Sequence, residues 1–151
     1  MKKFIVFITV LLLALFFISP RANAATVNAS SCSQSDVQAA IDQAQDGDTV
    51  LVPAGECTWI TPASHAPAVK IDKKAIIIQG QGIDKTIIND ETSNGMNGHW
   101  GEDLLGIIGV EGKPFRITGF TFKRVVNDTD TDTVLIAISG TAKDWRVDHN
   151  K

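Results

Sequence analysis

The segment "IIIQG" at residues 76–80 is followed by two similar segments, "FRITG" at residues 115–119 and "WRVDH" at residues 145–149. Aligning the third residue of each segment gives steps of 39 and 30 residues. Each segment is a short apolar run that ends in polar or glycine residues, which is typical of a strand followed by a turn. A loose repeat of this length predicts a fold built from similar units that stack on one another.

A second apolar series, Val69, Ile107 and Ile136, precedes the first one by a similar interval, with steps of 38 and 29 residues. The two series therefore predict at least two strands in every repeat. If each repeat is one coil of two or three short strands, every strand lies parallel to its counterpart in the next coil, and the inward aliphatic residues stack. This pattern predicts an all-β fold, a parallel β-helix.

The main alternative is a β-sandwich, which also has short strands at regular spacing. Its hairpins favour tight turns such as Asn-Gly. The dipeptides Asn94-Gly95 and Asn97-Gly98 occur only inside one long insertion, residues 91–103. The paired spacing therefore favours the solenoid, and the insertion accounts for its longer first step.

One short amphipathic helix precedes the strands. Ser35 is a suitable N-cap with Gln38 as its capping-box partner, and Gly47 ends the segment. The apolar residues on one face are Val37, Ala40, Ile41 and Ala44. A solenoid needs a cap over the open end of its first coil, and we expect this helix to provide it. A strand at residues 49–52 follows.

The N-terminus has the pattern of a secretory signal peptide. Two lysines precede the apolar run of residues 4–18, and Ala-Asn-Ala follows at residues 22–24. We expect cleavage after Ala24, which leaves a single domain at residues 25–151. A membrane anchor is the weaker interpretation, because the apolar run is shorter than the ~20 residues that span a bilayer.

Removing residues 1–24 takes away three basic and no acidic residues, so the net charge changes from −3 to −6. An acidic domain of this kind argues against nucleic acid as a partner. No second apolar run is long enough to cross a membrane, so we expect no membrane association after cleavage. In an oxidising compartment Cys32 and Cys57 are expected to form a disulfide, and two free buried thiols are the alternative.

Four segments carry a family resemblance: "DVQAAIDQAQDGDTVLVPAGECTW" (residues 36–59), "KAIIIQGQGIDKTII" (74–88), "FRITGFTF" (115–122) and "DWRVDHNK" (144–151). The first three resemble the opening coils of pectate-lyase-like right-handed parallel β-helix proteins, which have the pectin lyase fold. The last is similar to the Trp-Ile-Asp-His segment of pectate lyases, with Arg146-Val147 replacing its middle. The resemblance implies a right-handed β-helix in an extracellular protein.

The same resemblance implies chemistry. In that family a groove binds calcium through acidic side chains, and a basic residue from later coils removes the proton next to a uronate carboxylate. The chain ends within a strand pattern, whereas a finished solenoid ends in a polar cap. We therefore expect residues 25–151 to be the cap and first three to four coils of a longer protein, inactive alone. A complete small protein is the alternative.

Asp148 and His149 are the candidate catalytic residues. As neighbours on a strand they are expected to point to opposite faces, so only one can serve a substrate unless the chain bends. The resemblance places Asp148 beside a calcium or uronate groove. The alternative is a solvated polar residue or a packing position in an asparagine-ladder type of stack.

Two further segments are candidates for binding. Asp128, Asp130 and Asp132 alternate, so on an extended segment they would share one face and hold a hard cation. An EF-hand is excluded, because Thr133 and Ser139 stand where glycine and glutamate are required, and a solvated turn is the alternative. The second segment contains His99 and Trp100, and the acidic residues Glu102 and Asp103 are nearby.

Trp100 offers an indole face that could stack on a sugar ring, and a merely structural anchor for the insertion is the alternative.

We expect a secreted protein acting on polysaccharide, either a lyase or a hydrolase of uronate-containing polymers, with calcium as cofactor if it is a lyase. A non-catalytic carbohydrate-binding or adhesive solenoid is the competing function. Ala137 and Ser139 favour this non-catalytic function. Neither residue is acidic, although a pectate lyase has calcium ligands beside its Trp-Ile-Asp-His segment.

Overall fold

The structure is a computed structural model that describes residues 23–62, 66–92, 103–125 and 134–151. This part of the chain forms one helix and short strands. The elements are β1 (Thr26–Asn28), α1 (Gln34–Gln43), β2 (Thr49–Leu51), β3 (Gly55–Trp59), β4 (Val69–Asp72), β5 (Ile77–Gln79), β6 (Thr86–Asp90), β7 (Leu105–Gly109), β8 (Arg116–Thr118), β9 (Thr121–Arg124), β10 (Ile136–Gly140) and β11 (Arg146–Asp148).

The strands form three sheets, and every strand pairing in the described part of the chain is parallel. Sheet 1 has the order β1-β2-β5-β8-β11, sheet 2 the order β3-β6-β9, and sheet 3 the order β10-β7-β4. From β2 onward the chain visits sheets 1, 2 and 3 in rotation, and one such passage is here called a round. Three rounds and the further strand β11 are present. A mostly β protein with parallel sheets and one short helix is compatible with a parallel β-helix.

The first predicted alignment is confirmed in sheet 1. Ile78 lies beside Ile117, and Ile117 lies beside Val147, at the centres of β5, β8 and β11. Val50 of β2 extends the same column. Because side chains alternate along a strand, these central residues point inward while their neighbours point outward. The column is buried at Val50, Ile78 and Ile117, and it forms part of the core.

The second predicted alignment is wrong by two residues at one position. In sheet 3 the register partner of both Val69 and Ile136 is Leu105, whereas Ile107 lies beside Ile71. A shift of two residues keeps a side chain on the same face of a strand. The inward direction of Ile107 was therefore predicted correctly, although its neighbours were not.

The turn predicted at the end of "FRITG" is present, and it separates β8 from β9. Gly119 separates them with a φ of +82°, and a Cβ there would lie 2.7 Å from the carbonyl oxygen of Gly80. Two backbones touch at this corner, so the chain must turn there without a side chain. Strand β3 was not predicted, because only Trp59 of its five residues is fully buried and its sequence lacks an aliphatic pattern.

The N-cap of α1 is Ser33 and not the predicted Ser35. The Ser33 hydroxyl accepts a hydrogen bond from the Asp36 backbone N–H, and the Ser33 carbonyl accepts one from Val37. The predicted apolar face is confirmed, since Val37, Ala40 and Ile41 are buried. The helix contacts β1 and β2 of sheet 1, β3 of sheet 2 and β4 of sheet 3. It therefore covers the end of the core at the first strands of all three sheets.

Side chains tie the helix to the first round. Lys74 Nζ donates to three carbonyl groups at the C-terminal end of α1, those of Ile41 (2.6 Å), Asp42 (2.8 Å) and Ala44 (3.0 Å). A cation at this end is favourable, because the last helical carbonyls have no partner within the helix. The helix is therefore capped by a residue that follows β4.

The predicted disulfide between Cys32 and Cys57 is confirmed, with its Cα atoms 5.8 Å apart. It links the residue before the N-cap of α1 to strand β3. Trp59 Nε1 donates to the Cys32 carbonyl oxygen at 3.0 Å, and a Cβ at Gly55 would lie 2.9 Å from Cys32 Sγ. The disulfide thus packs closely on β3 and holds the helix against sheet 2.

The predicted signal peptide lies almost entirely outside the described residues, which begin at residue 23. Among the residues that the structure describes, no helix is long and apolar enough to cross a membrane.

Candidate functional site

The outward face of sheet 1 carries a group of charged side chains in its last two strands. Ile117 of β8 and Val147 of β11 point inward, so the residues on either side of them point outward. These flanking residues are Arg116, Thr118, Arg146 and Asp148. We refer to Arg116, Arg146 and Asp148 as the Arg–Asp patch.

The Arg–Asp patch is held together by ion pairs. Arg116 binds the Asp148 carboxylate through two bonds, from Nε to Oδ1 (2.8 Å) and from Nη2 to Oδ2 (3.1 Å). Arg146 Nη2 donates to the same Oδ2 at 2.5 Å. The hydrogen bonds from Arg116, followed by the charges of both arginines, lower the pKa of Asp148 from 3.8 to about 2. The patch carries two cations and one anion at neutral pH.

Asp148 therefore remains ionised and is fully engaged by guanidinium groups. A general acid or base needs a pKa near the working pH, and that of Asp148 is far below it. A calcium ion at this carboxylate would lie among two positive charges, so the surroundings of Asp148 do not fit the calcium position that the family resemblance implies. The geometry instead gives Asp148 the role of orienting Arg116 and Arg146.

His149 lies beside the patch, and the predicted opposite orientation of Asp148 and His149 is wrong. Strand β11 ends at Asp148, and His149 follows with a φ of +54°, so the alternation of a strand does not continue through it. Its Nδ1 is 3.6 Å from Asp148 Oδ2, which places the imidazole on the same side as the carboxylate. The His149 side chain is 74% exposed.

A second polar group lies inside, at the corner where sheet 2 leads into sheet 3. Asp90 Oδ1 accepts from the Thr92 backbone N–H (2.9 Å) and hydroxyl (2.5 Å), and Arg124 Nη1 donates to Oδ2 (2.8 Å). Asp90 and Arg124 are register partners stacked beside the buried Trp59. Within the described residues, Arg124 Nη2 is buried and has no hydrogen-bond partner.

Two segments that lie outside the described residues follow this corner in the chain. Residues 93–102 follow Thr92, and residues 126–133 follow Val125, whose backbone N–H donates to the Asp90 carbonyl oxygen at 3.1 Å. The candidate sugar-binding residues His99 and Trp100 lie outside the described residues. The candidate calcium ligands, Asp128, Asp130 and Asp132, lie outside them as well.

Asp103, the last residue of the insertion at residues 91–103, is described. Burial raises the pKa of its carboxyl group. In the described ranges, no group of three or more His, Cys, Asp or Glu side chains is arranged to hold a metal ion.

Comparisons of the chain with protein-family models, curated proteins and solved structures found no match. Functional inference therefore depends on the geometry of the chain itself.

The two arginines of the Arg–Asp patch were not predicted as site residues, although the sequence contained the signal. In the aligned segments "FRITG" and "WRVDH" an arginine precedes the inward residue in both copies, so both arginines point outward on neighbouring strands. The pairing of Asp90 with Arg124 had no such signal. Both are charged residues that point inward, against the general pattern, and they lie 34 positions apart.

Proposed function

We propose that this chain is part of a secreted right-handed parallel β-helix protein of the pectin lyase fold that acts on acidic polysaccharide. The rotation of parallel strands through three sheets supports the β-helix, and the leader pattern and the Cys32–Cys57 disulfide support secretion. The observation that carries the substrate class is the Arg–Asp patch on the outward face of sheet 1.

The charge and spacing of the Arg–Asp patch suit it to binding a carboxylate. Arg116 and Arg146 are register partners on adjacent parallel strands, which lie about 4.8 Å apart. Guanidinium groups match carboxylates in shape and charge, and they bind them through paired hydrogen bonds. Asp148 orients both arginines but neutralises only one of them, and the Arg146 side chain remains 65% exposed. A uronate carboxylate is a suitable ligand for the remaining positive charge.

We propose that the whole protein cleaves uronate-containing polymers, as a lyase or a hydrolase, and that a lyase would use calcium. Bound calcium would supply positive charge to a substrate carboxylate. Asp128, Asp130 and Asp132 are the candidate ligands in this proposal. In the described residues, the two arginines bind the polymer, Asp148 orients the arginines, and none of the three transfers protons.

A non-catalytic carbohydrate-binding or adhesive protein is the second candidate. Its support comes from sheet 3, where Ala137 and Ser139 of β10 lie beside Gly106 and Ile108 of β7. These outward positions hold no acidic side chain. The ionised, fully paired state of Asp148 favours binding over proton transfer as well.

The experiment compares binding with cleavage. Affinity electrophoresis in gels containing polygalacturonate or alginate measures retardation of the chain, and methyl-esterified pectin is the uncharged control polymer. Arg146→Gln is expected to weaken retardation roughly tenfold, as for one hydrogen bond between charged groups. Lys123→Gln is the charge-matched control, because Lys123 lies on sheet 2 beside Glu56.

Cleavage is measured on the chain and on the product of its complete gene, through the ultraviolet absorbance of unsaturated products with and without calcium, and through reducing ends for hydrolysis. Binding without cleavage of any uronate polymer by either protein would establish the non-catalytic function. Equal retardation of the parent chain on charged and esterified polymers would refute the proposed substrate class.

A further inference from the structure

His149 occupies a backbone position that glycine holds in the two rounds before it. It follows the Asp148–Thr118 register pair, as Gly119 follows Thr118 and Gly80 follows Gln79. Gly119 N–H donates to the His149 carbonyl oxygen at 3.1 Å, so the two residues are neighbours at the same corner. This corner turns the chain out of sheet 1.

The conformation of His149 is unfavourable for a residue with a side chain. Its φ of +54° lies in the left-handed region, as does that of Gly119 at +82°. In this region Cβ approaches the following carbonyl group, which costs conformational free energy for all residues except glycine, and less for asparagine and aspartate. A glycine at position 149 would make the same turn without that cost.

Among the residues that the structure describes, the imidazole makes no hydrogen bond that would offset this cost. It is 74% exposed, and its Nδ1 lies 3.6 Å from Asp148 Oδ2, which is longer than a hydrogen bond. Asp148 Oδ2 already accepts bonds from Arg116 and Arg146. Strained residues that the fold does not require are characteristic of functional sites.

We propose that His149 holds its strained conformation for the sake of its side chain, which binds the carboxylate of an acidic sugar together with Arg146. Both side chains converge on the same oxygen of Asp148, so they lie side by side at the exposed rim of the patch. Imidazole supplies a directional N–H donor next to the guanidinium fork. The subsite rests on the proposed function, and it specifies which side chains of this face contact the carboxylate.

The experiment uses the full chain and three variants, with retardation by polygalacturonate and thermal unfolding as the two measurements. His149→Gly is expected to unfold at an equal or higher Tm and to bind about tenfold more weakly. His149→Asn, which tolerates the left-handed region, is expected to show the same loss of binding. Lys73→Gly is the matched control, because the exposed Lys73 has a φ of +56° on a different turn. It should relieve similar strain, remove a positive charge and leave binding unchanged.

Each outcome distinguishes the subsite from the proposed function. Weaker binding by both His149 variants without a loss of Tm supports the subsite. Unchanged binding by His149→Gly, when Arg146→Gln binds weakly, overturns the role of His149 and leaves the substrate class standing. A marked fall in Tm for His149→Gly shows that the side chain is structural, which also overturns it. Unchanged binding by Arg146→Gln removes the proposed function and the subsite together.

Discussion

Among single residues, Asp148 has the greatest influence on the outward face of sheet 1. Its carboxylate fixes two guanidinium groups that would otherwise repel each other across adjacent strands. Opposite charges within hydrogen-bond distance favour the ionised form, which is why the pKa of Asp148 lies at about 2. The orientation of Arg116 and Arg146 therefore depends on an acid that stays charged in any but strongly acidic solution.

Replacing Asp148 with Asn should reveal this ion pair through its pH dependence. Because the pKa falls from 3.8 to about 2 on folding, ionised Asp148 stabilises the native state fully above about pH 4 and not at all below about pH 2. We expect Asp148→Asn to unfold at a lower Tm than the parent at pH 7. Thermal unfolding from pH 7 to pH 2 should show the two Tm values converging. A constant difference across this range would contradict the assignment.

At the level of elements, α1 does more than cover apolar residues. Strand β4 is an edge strand of sheet 3 within this chain, and such an edge presents unpaired N–H and carbonyl groups. Gln38 accepts from the Lys70 N–H at 2.8 Å and donates to the Lys70 carbonyl at 3.1 Å. Gln34, one helical turn earlier, donates to the Ala68 carbonyl at 2.7 Å. The helix thus supplies amide groups where a neighbouring strand would supply backbone.

Removing one of these amides should loosen the edge locally. Gln38→Ala deletes both bonds to Lys70, and we expect it to lower stability by about 1–2 kcal/mol, since it leaves partly buried backbone groups unpaired. Hydrogen exchange at the Lys70 amide should accelerate about tenfold or more. The exposed Gln43 at the end of α1 provides the control Gln43→Ala, which should change neither measurement. Equal effects of the two substitutions would mean that helix propensity, and not edge pairing, is responsible.

Over the whole molecule, stability depends on apolar columns that run through successive rounds. Ile117 lies between Ile78 and Val147 and is completely buried, whereas Val147 on the outermost strand β11 is 39% exposed. The same kind of substitution should therefore have a different cost at each position. Burial on both sides, and not residue type, sets the free energy that is lost.

Ile117→Ala should lower the free energy of unfolding by roughly 2–5 kcal/mol, as expected for a large-to-small substitution in a packed core. Val147→Ala should cost less than about 1 kcal/mol, because Val147 is partly exposed to solvent. Denaturant unfolding of both variants measures the difference. Similar losses of free energy at both positions would contradict the conclusion that burial sets the cost of each substitution.

The sequence predicted the parts of the fold that depend on burial alone. Ile78, Ile117 and Val147 were aligned correctly because an inward aliphatic residue must recur once per round. The N-cap was misplaced because several serines surround Cys32, and the disulfide to Cys57 on β3 fixes the chain so that Ser33 caps the helix. Local capping preferences carry no information about such a constraint.

The candidate site was less accessible to prediction from sequence. The positions of Asp148 and His149 were recognised, but their relation was not, because the bend depends on the left-handed conformation of His149. The inward pair of Asp90 and Arg124 requires the register of β6 and β9, which no local pattern determines. Charged residues are assigned to the surface by every pattern argument, so an internal ion pair is recognised only from the tertiary structure.

The contact between Lys74 and the end of α1 also sets an order of events during synthesis. The carbonyl groups of Ile41, Asp42 and Ala44 are bonded by a residue 30 to 33 positions later in the chain. A helix of ten residues is not stable by itself in water. We therefore expect α1 to remain unfolded until the first round, up to Lys74, has been synthesised. The helix becomes structured only when residues that are translated later return to it.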